Sequence, residues 1–234
     1  MEKSYRNLWI LFAAIFVVVI FGFFKTYFGK FPQFENTSIA IHFHAVLFLL
    51  WFGLLFIQPY LISKKKFRLH RNVGKISYFL VPLITLSTIA VARGVYIREM
   101  AQYPQRRCLG DLLFPFAQLI VFDSLFILAM INKRKQACHM RYMIASSIIL
   151  LGPALRRIFV HWMGIQAPRA ATLSFIISVG LLLTLFMYDY RKGKIYTPYI
   201  VSSIFLTLFL ISYTYLPQTF IWQTFCGKLV QLAF

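Results

Sequence analysis

Residues 39–62 read IAIHFHAVLFLLWFGLLFIQPYLI, a run with no Lys, Arg, Asp or Glu. A helix crosses the hydrocarbon core of a bilayer in about 20 predominantly apolar residues. This run is therefore long enough to span, and Lys64, Lys65 and Lys66 follow it directly. A charge block against an apolar run marks a membrane boundary. Six further runs of the same kind lie at roughly 8–28, 76–97, 112–131, 142–160, 173–188 and 198–216. The sixth in chain order, 173–188, is short and gains length if its helix starts nearer Ala170.

The composition agrees with these runs. Of 234 residues, 60% are apolar and only 13% are charged. A soluble domain is about half apolar and a quarter charged. The chain is also far too apolar to be disordered. Barrel strands alternate polar and apolar residues, and these runs do not. Only helices and closed barrels satisfy the backbone in lipid. The expected fold is all-α: one domain over 1–234, a bundle of seven transmembrane helices with a short C-terminal interfacial helix.

The first run, after Met1–Asn7, is too long for a signal peptide and lacks an Ala-x-Ala-like cleavage site. It reads as a retained helix. The tail 217–234 is apolar but short. Ile221, Phe225, Leu229 and Leu232 share one helical face there, with Lys228 as the only charge, so an interfacial or re-entrant helix is expected.

The net charge of +19 suggests a polyanion until it is placed along the chain. Fifteen basic residues fall on one side of the expected topology: the N-terminal Lys3 and Arg6, the 64–75 connection, the 133–141 connection and the 191–194 connection. Seven fall on the other side: Lys25, Lys30, Arg98, Arg106, Arg107, Arg169 and Lys228. The positive-inside rule puts the larger group in the cytoplasm of a bacterial inner membrane, with the N-terminus inside and the C-terminus outside. The partners expected at these loops are the bilayer and its anionic headgroups. Nucleic acid is not expected, since no folded reader domain is present.

Ionisable groups within spans cost about 2.5–3.5 kcal/mol on insertion scales, so each needs a reason. His42 and His44 lie in the first turns of the second helix, after a candidate N-cap at Ser38. Two residues apart, they point about 200° from one another. His44, Trp51 and Gln58 are spaced by sevens and form one stripe. Arg93 lies near the outer end of the third helix. Arg156, Arg157 and His161 lie in the outer half of the fifth, where Gly152-Pro153 can loosen the helix. His42, His44, Arg93, Arg156, Arg157 and His161 thus collect at one depth, with Glu35, Glu99 and Asp111 in the outer loops as the acids within reach. Such a group suits an anionic guest: a carboxylate, a phosphate headgroup, a haem propionate or a quinone oxygen. The bland alternative is snorkelling to phosphates.

Deeper in the path, Asp123 reads either as an interhelical hydrogen-bond anchor or as a proton or cation relay. Asp189, beside Arg191 and Lys192, reads as a local ion pair. His70 and His139 form an inner layer opposite the outer histidines, the layering of a two-haem membrane cytochrome. His44 and His161 are candidate metal ligands, for a haem or a transition metal. Of the cysteines, only Cys108 and Cys226 share a side and could pair.

Three stretches together resemble a known group. They are His42-Phe-His44 with Trp51 and Gln58, then Leu69-His70-Arg71-Asn72-Val73-Gly74, then His139-Met140-Arg141-Tyr142-Met143 running to Pro153 and Arg157. This resembles a family of bacterial polytopic inner-membrane proteins of domain-of-unknown-function type, with His-x-His, His-Arg-x-x-Gly and His-x-Arg-x-Met motifs in that order over residues 39–200. An Asp precedes a short basic turn there, as Asp189 does here. That turn carries His-Pro in the group, whereas this chain has Thr197-Pro198. The resemblance implies a polytopic fold and a shared polar site, and no reaction. The functions open to such a protein are a site for haem, metal or an anionic lipid- or quinone-like molecule in membrane redox chemistry; a transporter or channel for a small anion or proton-coupled solute; and an accessory or assembly subunit of a membrane complex.

Overall fold

A computed structural model describes residues 7–233. The N-terminal Lys3 and Arg6, counted above among the inner charges, lie outside the described residues. Among those described, all regular structure is helical: α1 Leu8–Phe24, α2 Ile39–Ser63, α3 Phe67–Gly74, α4 Ser77–Met100, α5 Gln105–Asp111, α6 Leu113–Ile131, α7 Gln136–Ile149, α8 Leu151–His161, α9 Ala167–Arg191, α10 Pro198–Tyr215 and α11 Phe220–Ala233, with a 3-10 turn at Phe28–Lys30.

Six stretches are long and apolar enough to cross a membrane: α2, α3–α4, α5–α6, α7–α8, α9 and α10. The remaining expected span, α1, is a 17-residue apolar helix, about 26 Å at 1.5 Å per residue. The sixth expected span begins at Ala167, well before Leu173. In the basic connection before the third lies a separate amphipathic helix, α3.

The helices pack as a ring. α2 lies on α4, α4 on α6, α6 on α10, α10 on α9, α9 on α8, α8 on α1, and α1 on α2. α7 touches α1, α6, α8, α9 and α10, so it occupies the middle. Its sequence allows this, because Ala145, Ser146 and Ser147 let neighbouring backbones come close and all three are buried. The outward faces are apolar: Ile39, Phe79, Leu86 and Ile120 are each more than 60% exposed. Apolar area on that scale suits lipid contact.

Two local features shape the end of the bundle that carries the 25–38 and 162–166 connections, called here the cluster end. The first is a close approach at Gly22, where a Cβ would sit 2.5 Å from the Ala154 carbonyl oxygen. Only glycine lets α1 lie that near α8. The second is the break between α7 and α8 at Leu150. Pro153 has no N–H to give the Ile149 carbonyl. The Gln118 side chain of α6 donates to that oxygen instead, at 3.1 Å. A proline is tolerated in a span when a neighbour satisfies the freed group in this way.

The tail forms α11, which caps α5 at the cluster end. Trp222 Nε1 donates to the Leu109 carbonyl at 2.8 Å, and Arg106 donates to Gln218 through Nε at 3.1 Å and Nη2 at 2.8 Å. Trp222 and Cys226 face inward, while Ile221, Phe225 and Leu232 are exposed. An apolar face turned out from the bundle is the pattern expected of an interfacial helix. Cys108 and Cys226 are unlinked thiols buried in one small cluster with Tyr96 and Trp222.

Candidate functional site

Both histidines of the second span lie inside α2, which begins at Ile39. Ser38 holds the N-cap position but makes no side-chain cap bond. His42 and His44 diverge as their spacing requires. His42 Nδ1 lies 3.0 Å from the Tyr27 hydroxyl oxygen, within hydrogen-bond distance, and its ring meets Phe34 edge-on at 4.9 Å. Burial pushes the Tyr27 phenol up. His42 thus fastens the 25–38 connection onto α2.

His44 turns to α4. Its Nδ1 lies 3.0 Å from Ser87 Oγ, and its ring packs on Phe48 at 4.7 Å. Arg157 of α8 is its electrostatic neighbour, and Arg157 is also a neighbour of His161. The Arg157 guanidinium lies 4.2 Å from the centre of the Phe23 ring and donates to the Pro153 carbonyl at 3.2 Å. Lys25 completes the group. Its Nζ donates to the His161 carbonyl at 2.8 Å and sits 4.2 Å over the Trp162 ring. Phe21 stacks on that ring at 4.5 Å. The Gly22–Ala154 approach is what brings α1 close enough for these contacts.

The cluster end is therefore divided. Arg156 is next to Arg157 in sequence but about 100° around the helix. It lies over Phe114, at 5.3 Å, and its electrostatic neighbours include Glu99, Asp111 and Tyr213 as well as Arg157 and His161. Its Nε is buried without a hydrogen-bond partner among the described residues. The outer-loop acids thus reach Arg156 and not Arg157. Arg93 is exposed on α4. His44, Arg157, His161 and Lys25 form one group, and Arg156, an electrostatic neighbour of Arg157 and His161 as well as of the acids, links it to the Glu99 and Asp111 side. Among the described residues, neither Arg156 nor Arg157 has a carboxylate at salt-bridge distance.

The stripe on α2 does face the bundle. Trp51 is 1% exposed and meets Phe122 and Phe126 of α6 edge-on at 5.4 and 5.9 Å. Its Nε1 is buried and has no partner among the described residues. Gln58, with its amide oriented by its contacts, donates to His70 Nδ1 and to the His70 carbonyl at 3.2 Å, and accepts the Gly74 N–H at 3.1 Å. His70 and His139 are electrostatic neighbours. His139 Nδ1 donates to the Ala129 carbonyl at 2.8 Å. His70 and His139 thus come to one place, at the junction of α2, α3, α6 and α7.

Asp123 of α6 lies 3.1 and 3.0 Å from Thr85 Oγ1 of α4 through its two oxygens. Thr85 also reaches the Val81 carbonyl at 3.1 Å. That joins α4 to α6 and is the anchor expected of a lone acid in a span. Thr85 is two residues from Ser87, the partner of His44, so Asp123 lies only about 3 Å farther along α4's axis.

The largest departure from the sequence reading is Asp189. Its principal partner comes from another helix. It receives Arg141 Nε at 2.7 Å and Nη2 at 3.0 Å, with side-chain exposures of 0% for Arg141 and 2% for Asp189. Arg141 is no loop charge of the 133–141 connection; it is inside the bundle on α7. Its guanidinium also donates to the Ala137 carbonyl at 3.0 Å and lies 3.7 Å from the centre of the Tyr196 ring. Gly193, at φ 69°, turns the chain after α9 and lets the Lys194 N–H close on the Asp189 carbonyl at 3.1 Å. The signal in the sequence was the helical register of Arg141 and the scarcity of acids, six in the whole chain.

Among the described residues, no group of three or more His, Cys, Asp or Glu is placed to hold a metal ion. His44 and His161 flank a guanidinium, which repels a metal cation and attracts an anion. No family model, curated protein or solved structure matches the chain.

Proposed function

We propose that this is a seven-span protein of a bacterial inner membrane, basic end in the cytoplasm, that binds an anionic membrane-soluble molecule at its cluster end. The carrying observation is Arg157: a half-buried guanidinium against an aromatic ring, flanked by His44 and His161, with no carboxylate in contact among the described residues. A guanidinium in that setting gains most from a phosphate or a carboxylate, which it meets in bidentate fashion, while a quinone oxygen accepts from it singly. His44 supplies a second polar contact and Lys25 a further positive charge. Partial exposure of His44 and Arg157 gives a lipid-borne molecule access. The three motif stretches around His44, His70 and Arg141 support the likeness to the His-x-His family. The Thr85–Asp123 anchor gives the transporter reading no comparable support.

The test is to purify the protein in mild detergent, extract it, and identify retained lipids and quinones by mass spectrometry for wild type and Arg157→Gln. A charge-assisted hydrogen bond is worth about 1.5–3 kcal/mol, so retention should fall roughly 10- to 150-fold. Arg93→Gln should change little. No molecule enriched in wild type over Arg157→Gln refutes the reading. A Soret band or stoichiometric metal would replace it with the haem or metal version.

A further inference from the structure

α3 lies at the end of the bundle opposite the cluster end, and no apolar side chain of its own holds it there. None of its eight residues is buried, and Phe67 and Leu69 are 50% and 45% exposed. So short a helix is marginal by itself, and its position is set by what grips it. The grip is polar. The side-chain amide of Gln58 on α2 donates to the His70 carbonyl at 3.2 Å and to His70 Nδ1, and its oxygen accepts the Gly74 N–H at 3.1 Å. Ser77 Oγ donates to the Gly74 carbonyl at 2.6 Å. One amide thus makes three bonds to the last turn of α3.

Each of these bonds demands a fixed role from its partner. The His70 carbonyl only accepts and the Gly74 N–H only donates, so the amide stands with its nitrogen toward His70 and its oxygen toward Gly74. His70 Nδ1 must then accept, which it does only in the neutral ring. A proton on Nδ1 sets two donors face to face. Turning the amide over would offer its oxygen to Nδ1–H, but it would also set oxygen against the His70 carbonyl and nitrogen against the Gly74 N–H. No orientation of Gln58 satisfies all three groups once His70 is an imidazolium. The surroundings offer no relief. The titratable and charged groups around His70 are His139 from α7 and Arg71 of its own helix. From α2 and α4 the groups holding this turn are Gln58 and Ser77, both uncharged. No carboxylate lies at salt-bridge distance from His70 among the described residues.

We infer that Gln58 and His70 form a proton-sensitive latch: with His70 neutral, Gln58 holds α3 against α2, and protonation at Nδ1 frees it. Histidine is the side chain whose ordinary titration falls between pH 5 and 8. The released state binds the proton and the latched state excludes it, so the latch is firm at high pH and opens as pH falls. Arg68 and Arg71 are exposed on α3, so opening moves two cations of the basic end. The latch is separate from the Arg157 group and does not depend on what that group binds.

The full chain in mild detergent is followed by hydrogen exchange and mass spectrometry between pH 8 and pH 5. Exchange is expressed as protection factors, which removes its intrinsic pH dependence. A free imidazole titrates at about 6.5, so a latch that excludes the proton weakens by about 30-fold over this range. Protection over 67–74 should fall by that factor while α6 stays level. His70→Gln should abolish the pH response. Gln58→Leu should leave α3 open at both pH values, with the thermal midpoint showing that the bundle remains folded. His139→Gln should keep the response, because His70 is the group that takes the proton. The wild-type profile tests the latch without any substitution: a change under about threefold overturns it. A response that persists in His70→Gln or vanishes in His139→Gln, or an α3 still protected in Gln58→Leu, also overturns it.

Discussion

Replacing Asp189 by Asn should be the most damaging single polar change in the chain. The carboxylate accepts two guanidinium bonds from Arg141, at 2.7 and 3.0 Å, in a site where both partners are at most 2% exposed. Asn keeps the shape and removes the charge. Arg141 then retains the Ala137 carbonyl and the Tyr196 ring, but its positive charge is buried without compensation. Removing one partner of a buried pair costs about 3–5 kcal/mol. That is a factor of roughly 150 to 5,000 in the unfolding constant. At about 2–4 °C per kcal/mol for a chain of this size, the thermal midpoint should fall by about 6–20 °C. The assay is unfolding in mild detergent followed by tryptophan fluorescence. The double change Arg141→Met, Asp189→Leu should recover most of the loss, because it leaves no buried charge. Arg191→Gln with Lys192→Gln should do little. A loss under about 1 kcal/mol for Asp189→Asn would mean that the pair is solvated, and the reasoning would fail. So would a double variant no better than the single.

Three further outcomes follow from the packing. Gln118→Leu leaves the Ile149 carbonyl without its donor and should cost about 1–3 kcal/mol; adding Pro153→Ala restores a backbone N–H for that oxygen and should return most of it, and a double variant worse than Gln118→Leu alone would refute the exchange. Gly22→Val should push α1 off α8, since its Cβ would meet the Ala154 oxygen at 2.5 Å; a thermal loss of at least about 1–3 kcal/mol is expected, together with weaker retention of any molecule held at Arg157. Burial raises the Cys226 thiol to about 11, so at pH 8 only about one thiol in a thousand is ionised, against about a quarter for an ordinary cysteine; maleimide should label half-buried Cys138 first and reach Cys226 only above about pH 10 or after unfolding.

What could be read from the sequence depended on which contacts are local. Spans are local: the run 39–62 announces itself by length and hydropathy, and α2 occupies it to within a residue. The α2 stripe was legible for the same reason, because seven-residue spacing fixes a common face. Partner choice between helices is not local. Nothing within α9 says that Asp189 should reach past Arg191 to Arg141, and nothing within α8 says that Arg156 should turn to Glu99 while Arg157 turns to His44. α3 escapes a hydropathy window because its residues are too polar, although Leu69 and Val73, four apart and opposite Arg68 and Arg71, carry the helical pattern.

The disposition of charge between the two ends follows from the acids more than from the bases. Six carboxylates cannot neutralise twenty-five cations, so the position of each acid decides which cations remain available. Asp189 is taken by Arg141 and Asp123 by Thr85. Asp111 lies 3.8 Å from Arg107 on the surface and, with Glu99, neighbours Arg156. Among the cations with no carboxylate at salt-bridge distance, within the described residues, are Arg157 with Lys25 at the cluster end and the α3 cations at the other. The first group is few, partly buried and fixed by aromatic rings, which suits one small anionic molecule. The second is many, exposed and spread along a helix, which suits a headgroup surface. An excess of the same sign thus serves two kinds of recognition, separated by how deeply each guanidinium or ammonium is withdrawn from water.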